Sequence, residues 1–394
     1  MSETPRPSAP LLFVCSYPGA DGPPNPGPGT RPGPLLPGSL SAWDGDERVA
    51  VLELAPAPSY GAFSADGRLL HLACEGVPGV LTTVDVESFL AGAGPGSVVD
   101  SRPSGGSEPC HLSLSPSGRR LAVANYASGA TPTDGGVLTV FPIGADGLPD
   151  GPGSRLALTG SGPDPMRQPG SHAHQAVWLD EDRLLLTDLG ADAVLTVAVA
   201  ADGTPSVIGR LDTERGAGPR HLVLLPGGGL LVAEELAGRV SLWLPDADGH
   251  RQVARVATVP AVDAADDAPG ATRPVGGPGA DQGADTFEDG PCEPSAIVLA
   301  PGGTVAHIAV RGPDVVSTVA IAVDSPEPLR LLGTTPTLGN WPRDLLLETD
   351  RLWVANQGSS SVVALALDPS THRPGHPVEE MEVTYPNWLA RRPG

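Results

Sequence analysis

The sequence contains no lysine, only 4% aromatic residues and four cysteines. All 24 basic residues are therefore arginines, against 46 acidic residues, and the formal net charge is −22. Such a chain lacks the basic face of a nucleic-acid-binding protein, and an acidic membrane surface would repel it. We expect neither nucleic acid nor a membrane as a partner, and an anionic ligand must be held by a few local arginines.

The four cysteines are Cys15, Cys74, Cys110 and Cys292, and none of them forms a C-x-x-C pair. A zinc cluster is therefore not expected, and the wide spacing gives no disulfide framework. The first apolar run, residues 11–17, is too short for a signal peptide with its cleavage site and for a membrane span. These features predict a soluble, cytoplasmic protein.

Sustained apolar periodicity near 3.6 is also absent, so few helices are expected. Instead, one unit recurs: a polar residue, a short apolar strand, a turn, a second apolar strand, a polar residue and a third strand. The clearest copies are residues 110–126, 220–235 and 341–357, and weaker copies begin near Tyr60, His174 and Ser295. The turns recur roughly every 45 to 75 residues, within or above the usual size of a propeller blade.

Six copies are visible, and strands near 11–17, 48–54 and 378–383 remain outside them. A blade shared between the two termini would use all three and would remove the open sheet edge. The sequence therefore predicts an all-β fold, a single seven-bladed β-propeller over residues 1–394. Residues 18–45, rich in Pro and Gly, and residues 259–290, with almost no large apolar side chain, are expected to be surface loops.

Polar residues occupy both ends of the repeated hairpin. In an antiparallel hairpin, the start of the first strand and the end of the second lie at the same end, so both sets should meet at one mouth of the central channel. Convergent polar groups in a concavity are typical of a small-molecule site. The leading set is His111, His174, Arg220, His221 and Arg343, and the trailing set is Glu75, Asn125, Asp188, Glu234 or Glu235, Arg311, Asn356 and Gln357.

Structural interpretations of these residues compete with functional ones, because polar residues at strand ends also form turns and bonds between blades. Asp188 and His111 are interpreted as structural. Cys110 is interpreted as a small buried residue, since its neighbour His111 should point to the opposite strand face. His172 and His174, at i and i+2, share a strand face that would suit a metal, but no carboxylate cluster accompanies them, so no metal site is predicted.

Several motifs, in order along the chain, carry a family resemblance. They are Ser115-Pro-Ser-Gly-Arg119 with Ala124-Asn-Tyr126, Ser171-His-Ala-His174, Gly216-Ala-Gly-Pro-Arg220-His221, Glu235-Leu236, Val310-Arg-Gly312, Asn340-Trp-Pro-Arg-Asp344 and Ala355-Asn-Gln357. These motifs resemble the bacterial lactonase family of seven-bladed propellers, which includes a type of 6-phosphogluconolactonase and is related to the fungal carboxymuconate lactonising enzymes. Val310 and the opening segment 15–18 depart from the family pattern.

The resemblance implies a catalytic set, because the fungal enzymes use a His, two Arg and a Glu at the channel mouth. By motif, these fall on His174, Arg220, Arg311 and Glu235. The resemblance further implies hydrolysis of a sugar lactone, with the small anionic lactone 6-phosphogluconolactone, of the pentose phosphate pathway, as the favoured substrate. Further candidates for binding the substrate are Arg343, Arg167, His172, His221, Asn125, Asn356 and Gln357.

In this scheme water attacks the ester carbonyl, and His174 or Glu235 removes its proton while the other holds the base or protonates the ring oxygen. Arg220 and Arg311 stabilise the oxyanion or hold the anionic group, and no cofactor is required. Two alternatives stay open. The same residues would serve a lactone-forming cycloisomerase, and propellers also act as non-catalytic binding scaffolds. Repeated Trp-Asp pairs would favour a scaffold, but the single pair, Trp43-Asp44, is expected in a loop.

Overall fold

The short apolar runs of the repeat form antiparallel strands. The computed structural model describes residues 11–18, 37–131, 134–247, 249–260 and 292–393. Within these ranges the chain forms 28 strands, one short helix, α1 (Val86–Leu90), and one 3-10 helix (Gly94–Ser97). The sequence-based expectation of few helices is therefore confirmed for the described part of the chain.

The strands are numbered here in chain order. In the N-terminal half they are β1 (Leu12–Ser16), β2 (Gly38–Asp44), β3 (Glu47–Leu54), β4 (Pro58–Phe63), β5 (Leu69–Cys74), β6 (Val80–Asp85), β7 (Val98–Pro103), β8 (Ser107–Leu114), β9 (Arg120–Ala127), β10 (Val137–Pro142), β11 (Ser154–Ala157), β12 (Ala173–Trp178), β13 (Arg183–Asp188) and β14 (Ala193–Val199). In the C-terminal half they are β15 (Pro205–Asp212), β16 (Pro219–Leu224), β17 (Leu230–Glu234), β18 (Arg239–Asp246), β19 (Gly249–Ala257), β20 (Glu293–Leu299), β21 (Val305–Arg311), β22 (Val315–Ile321), β23 (Leu329–Pro336), β24 (Pro342–Leu347), β25 (Arg351–Asn356), β26 (Ser361–Leu367), β27 (Pro374–Glu382) and β28 (Pro386–Arg391).

The described strands make seven four-stranded sheets. Blades 1 to 6 take consecutive strands: β4–β7, β8–β11, β12–β15, β16–β19, β20–β23 and β24–β27. Blade 7 has the order β28-β1-β2-β3, so the last strand lies beside the first. β1 pairs antiparallel with β28, from Leu12 opposite Arg391 to Ser16 opposite Pro386. The prediction of a seven-bladed propeller with a blade shared between the termini is confirmed.

The first strands of the blades surround the channel. β4, β8, β12, β16, β20, β24 and β28 contact one another in a closed ring. Apolar clusters lie between neighbouring blades, for example Phe13 and Trp388 of blade 7 with Leu72 of blade 1. Because each sheet packs both faces against neighbours, inner strands such as β5 are buried along their whole length, whereas the outer strand β7 alternates between exposed and half-buried residues.

The closing blade differs from the prediction in two ways. Residues 378–383, expected in this blade, belong mostly to β27, which pairs with β26 in blade 6. The strand that closes the ring is β28, whose apolar run around Trp388 is short and begins at a proline. β27 carries Glu379, Glu380 and Glu382 and is mostly exposed, as befits an outer strand, whereas the prediction counted it in the closing blade because it is the last strand-like run before the short β28.

The predicted loop at 18–45 is wrong at its C-terminal end. Residues Gly38–Asp44 form β2, which pairs with both β1 and β3. This strand was missed because its small residues, with serines at 39 and 41, give it no continuous apolar run. Trp43-Asp44 therefore ends a strand, where the Trp43 Nε1–H donates to Ser41 Oγ at 2.8 Å. Residues 19–36, and all of the predicted loop at 259–290 except 259 and 260, lie outside the described residues.

Replacing Trp388 with Ala should lower the free energy of unfolding by about 3–5 kcal/mol, because it empties a buried site in the closing blade. Trp388 is 4% exposed, whereas Val378 on β27 is 48% exposed. Val378→Ala is the matched control and should change the free energy by no more than about 0.5 kcal/mol. Urea denaturation followed by circular dichroism measures both. Equal effects of the two substitutions would contradict the assignment of β28 as the closing strand.

Candidate active site

A β-bulge opens the first strand of the blades, and it places the leading residues of the repeat. In blade 4, Pro219 pairs with Glu234 and His221 with Ala233, so Arg220 is an extra residue in the register. In the same way, His174 in blade 3 and Arg343 in blade 6 are extra residues without a partner in the strand register. A bulge re-aims its extra side chain out of the strand alternation. Simple strand alternation, on which the sequence-based prediction relied, does not give the direction of these side chains.

In other blades the bulge residue ties one blade to the next. Ser59 Oγ donates to Pro109 O at 2.8 Å, and Ser295 Oγ donates to Pro342 O at 2.7 Å. Cys110 takes the same position, with its Sγ 3.4 Å from Ala173 O. Burial raises the pKa of the Cys110 thiol. The interpretation of Cys110 as a structural residue therefore fits its surroundings better than a nucleophile does.

The trailing residues divide into two groups. Asn125, Glu234 and Asn356 lie opposite the leading proline of their blades and are buried within them. Asn125 Nδ2 donates to Val137 O at 3.2 Å, and Asn356 Nδ2 donates to Thr337 O at 3.1 Å. Both amides therefore donate to backbone carbonyls, Asn125 within blade 2 and Asn356 to the segment that leads into blade 6, and their role in binding substrate stays a prediction. The next residue in each trailing set, such as Glu235, faces the channel mouth.

Glu235 stands at the centre of a cluster of three arginines. Its Oε2 lies 2.9 Å from Arg220 Nε and 2.8 Å from Arg311 Nη2, and its Oε1 accepts a hydrogen bond from Arg167 Nη2. Arg220 also donates from Nη1 to Ser295 O at 2.8 Å. The structure thus brings together Glu235, Arg220, Arg311 and Arg167 from blades 3, 4 and 5.

A short loop before β12 supplies Arg167. The Asp164 carboxylate accepts from the backbone N–H groups of Met166 and Arg167 at 2.8 and 3.0 Å, which shapes the turn. The fully buried Gln168 side chain then donates from Nε2 to Leu189 O at 2.9 Å. These bonds hold a non-strand segment in place, so that Arg167 can reach the cluster.

Glu293, which the sequence analysis missed, is the second carboxylate of the cluster. Its Oε1 accepts from Arg167 Nη1 at 3.1 Å, and its Oε2 lies 3.4 Å from Arg311 Nη2. The residue stands directly before Pro294, two positions before Ser295, where this copy of the repeat was taken to begin. The corresponding position in blade 3, before Ala173, carries His172. Aligning these two copies of the repeat would have identified Glu293 as a candidate.

The two carboxylates have pKa values displaced in opposite directions. Burial raises the pKa of Glu235, but the charges of Arg311, Arg167 and Arg220 outweigh it and hold that pKa far below its ordinary value. For Glu293, burial and the charge of Glu235 outweigh the arginines and raise the pKa. With three guanidiniums against two carboxylates, the cluster carries a net positive charge at neutral pH.

A row of neutral imidazoles lies beside the arginines. The His174 and His221 ring centroids are 5.3 Å apart, and those of His221 and His111 are 5.9 Å apart. Burial, together with the charge of Arg220, holds the pKa of His174 and His221 well below the ordinary value and lowers that of His111 to about 3. The buried Nδ1 of His174 has no hydrogen-bond partner among the described residues.

His172 lies in the loop before the bulge, outside the strand. Its ring stacks on Tyr126 at 4.0 Å between centroids, and its Nδ1 lies 3.0 Å from Tyr126 O. His174 meets the same tyrosine edge-on at 6.2 Å. Among the described residues, no group of three His, Cys, Asp or Glu side chains has the arrangement of a metal site.

Arg343 belongs to a separate, half-buried polar group. Its Nη2 donates to Tyr17 Oη at 2.9 Å and lies 3.7 Å from Glu75 Oε1, while its Nη1 lies 3.4 Å from Gln357 Oε1. The Tyr17 hydroxyl in turn donates to Glu75 Oε1 at 2.7 Å. These contacts join blades 6, 7 and 1.

A cavity of about 420 Å³ adjoins the cluster. Arg167 and Glu293 line its polar side, and Met166, Leu236 and Cys292 line its apolar side. This volume lies within the usual range for small-ligand sites. The cavity thus gives a small molecule a place beside Arg167 and Glu293, at the edge of the cluster.

Comparison with known proteins decides the family. The sequence model described as "Lactonase, 7-bladed beta-propeller" matches residues 47–390. The chain belongs to this lactonase family. It is similar to the curated 6-phosphogluconolactonase of Bacillus subtilis (strain 168), with 29% identity over 287 residues that cover 71% of this chain and 72% of that protein. It is also similar to the 6-phosphogluconolactonase of Formosa agariphila, with 25% identity over 322 residues, 79% of this chain and 82% of that one.

Solved structures share the propeller of this lactonase chain. A periplasmic gluconolactonase from Pseudomonas aeruginosa superposes with a TM-score of 0.75 at 24% identity, covering 97% of this chain and 98% of that one. A putative 6-phosphogluconolactonase from Bacteroides fragilis superposes with a TM-score of 0.69 at 20% identity, covering 99% of each chain. At these identities the likeness is one of fold, and it extends over nearly the whole chain.

Replacing Glu235 with Ala should lower the free energy of unfolding by about 3–5 kcal/mol, because it leaves buried guanidinium groups without their counter-charge. Glu214 offers a matched control, since it also pairs with two arginines, Arg239 and Arg255, but is half exposed. Glu214→Ala should cost less than about 1 kcal/mol. Chemical denaturation at neutral pH measures both, and similar losses would show that the Glu235 cluster contributes no more than surface pairs.

Proposed function

We propose that this chain hydrolyses a sugar lactone to the open hydroxy acid. The observation that carries the proposal is the buried cluster of Arg167, Arg220 and Arg311, which has more positive charge than its two carboxylates neutralise. An oxyanion that develops on an ester carbonyl needs such fixed positive charge in a place shielded from water. The curated relatives, both named 6-phosphogluconolactonase, support the same reaction.

Arg220 and Arg311 are proposed to bind the carbonyl oxygen. Their contacts in the cluster involve Nε and Nη1 of Arg220 and Nε and Nη2 of Arg311. Arg220 Nη2 and Arg311 Nη1 take part in none of these contacts among the described residues, and they are proposed to donate to the substrate. Glu235 is proposed to hold these groups in position, since a carboxylate with a strongly lowered pKa is a poor proton acceptor.

His174 is proposed to orient the substrate by a hydrogen bond. Its buried Nδ1 lacks a partner among the described residues, and burial beside Arg220 keeps the ring neutral. A neutral imidazole can donate from one nitrogen and accept at the other, which suits a sugar hydroxyl. The His221 ring packs edge-to-face against the His174 ring, with 5.3 Å between the ring centroids.

6-Phosphogluconolactone is the favoured substrate, which would place the enzyme in the pentose phosphate pathway. Arg343 is proposed to bind its phosphate, because it is a half-buried guanidinium whose contacts with Tyr17 and Gln357 hold the planar group in one orientation. Such a fork matches phosphate oxygens. A local cation of this kind is needed, since the net charge of −22 disfavours an anionic substrate at long range.

Within the described ranges, no helix is long and apolar enough to cross a membrane. A cytoplasmic location is part of the proposal, and it is supported by the cysteines, all four of which are free. Free thiols are typical of a reducing compartment.

The purified protein should hydrolyse 6-phosphogluconolactone, and do so faster than the unphosphorylated gluconolactone at equal concentration. A pH-stat assay, corrected for spontaneous hydrolysis, measures both rates. A carboxymuconate serves as the third substrate. Conversion of the carboxymuconate alone would favour the cycloisomerase, and conversion of none of the three would favour a binding scaffold.

Replacing Arg311 with Lys should lower kcat roughly 10²- to 10³-fold, because the variant keeps the charge but loses a donor to the oxyanion. The exposed Arg255 offers a control, since Arg255→Lys keeps the charge and lies far from the cluster on β19. The control should keep the wild-type rate. A kcat of Arg311→Lys within a few-fold of the wild type would remove Arg311 from the proposed site.

A further inference from the structure

Glu293 is the more loosely held of the two buried carboxylates. Its Oε1 accepts one hydrogen bond, from Arg167 Nη1 at 3.1 Å. Its Oε2 lies 3.4 Å from Arg311 Nη2, but this contact is not aligned as a hydrogen bond, and the oxygen has no hydrogen-bond partner among the described residues. Glu235 Oε2, by contrast, lies 2.9 Å from Arg220 Nε and 2.8 Å from Arg311 Nη2. Glu293 Oε2 is therefore a buried carboxylate oxygen whose hydrogen-bonding capacity is unused among the described residues.

Glu293 also borders the cavity beside the arginine cluster. Glu293 lines the cavity of about 420 Å³, together with Arg167. Arg311, which lies beside Glu293, is one of the two arginines proposed to bind the carbonyl oxygen. A water molecule bound at Glu293 Oε2 would therefore lie next to a lactone carbonyl held by that arginine.

The charges around Glu293 also suit a proton acceptor. They come from Arg311 at the end of β21, Arg167 before β12, Glu235 after β17 and Arg220 in β16, and with burial they raise the pKa of Glu293. The same surroundings lower the pKa of Glu235 and of His174. Pairs of carboxyl groups whose pKa values are pushed apart by their environment commonly divide the acid and base roles of a hydrolase.

We propose that Glu293 is the general base that activates water for lactone hydrolysis, an inference that rests on the function proposed above. Glu293 Oε2 takes a proton from water as the water oxygen bonds to the carbonyl carbon. The carbonyl π electrons move to the oxygen held by Arg220 and Arg311. When the C=O bond re-forms, the bond from carbon to the ring oxygen breaks, and Glu293 returns the proton to that oxygen. The new carboxylic acid then loses its proton to solvent.

The test is Glu293→Gln, which keeps the length of the side chain and an oxygen for Arg167 but cannot take a proton. The lactonase kcat should fall roughly 10²- to 10⁴-fold with little change in KM. The pH profile gives the second readout. Because the base must be unprotonated, the wild-type rate should fall as pH drops through a pKa above the ordinary value for Glu, and this acidic limb should be absent from the residual rate of Glu293→Gln.

Glu234→Gln is the matched control, because Glu234 is equally buried but accepts from Ser241 Oγ inside blade 4. This variant should keep the wild-type rate and acidic limb. If Glu293→Gln keeps a rate within a few-fold of wild type, or keeps the acidic limb, the inference is overturned while the proposed function stands. If the wild type hydrolyses no lactone, the proposed function fails, and the inference fails with it.

Discussion

The enclosure of one buried carboxylate by three guanidinium groups is the interaction on which the candidate site depends. Arg167, Arg220 and Arg311 come from three different blades, and Glu235 lies between them at hydrogen-bond distance. Like charges this close would repel strongly in a buried place, and Glu235, with Glu293 beside Arg167 and Arg311, offsets this repulsion. One charge thus positions three groups that the fold alone would not bring into contact.

The propeller supplies this cluster by using one repeat position for two purposes. At the β-bulge that opens each blade, Ser59 and Ser295 bond to the backbone of the next blade and so close the ring. His174, Arg220 and Arg343 occupy the same position but face charged or aromatic groups. Arg220 serves both purposes, since it also donates to Ser295 O. The bulge position therefore has a structural role in some blades and supplies side chains to the candidate site in others.

Much of this arrangement follows from sequence patterns. The recurring hairpin predicts the blade count, and the common end of its two strands predicts that leading and trailing polar residues meet. Alternation fails at the bulge, however, because an extra residue shifts the side chains that follow. Asn125 and Asn356 end the second strands of their blades, and the sequence alone does not show whether a side chain there faces its own blade or the channel mouth. Glu293 was missed because it precedes the copy boundary, and its role depends on Arg167, which approaches from a loop 126 residues earlier.

In the proposed site, the carbonyl end of the substrate binds between Arg220, Arg311 and Glu293. A crystal structure of the protein with an aldonate product would show where that end lies. We expect the product carboxylate to contact both guanidinium groups, with one of its oxygens within hydrogen-bond distance of Glu293. A product carboxylate bound instead by Arg343 and Tyr17, away from the three-arginine cluster, would rule out this binding mode.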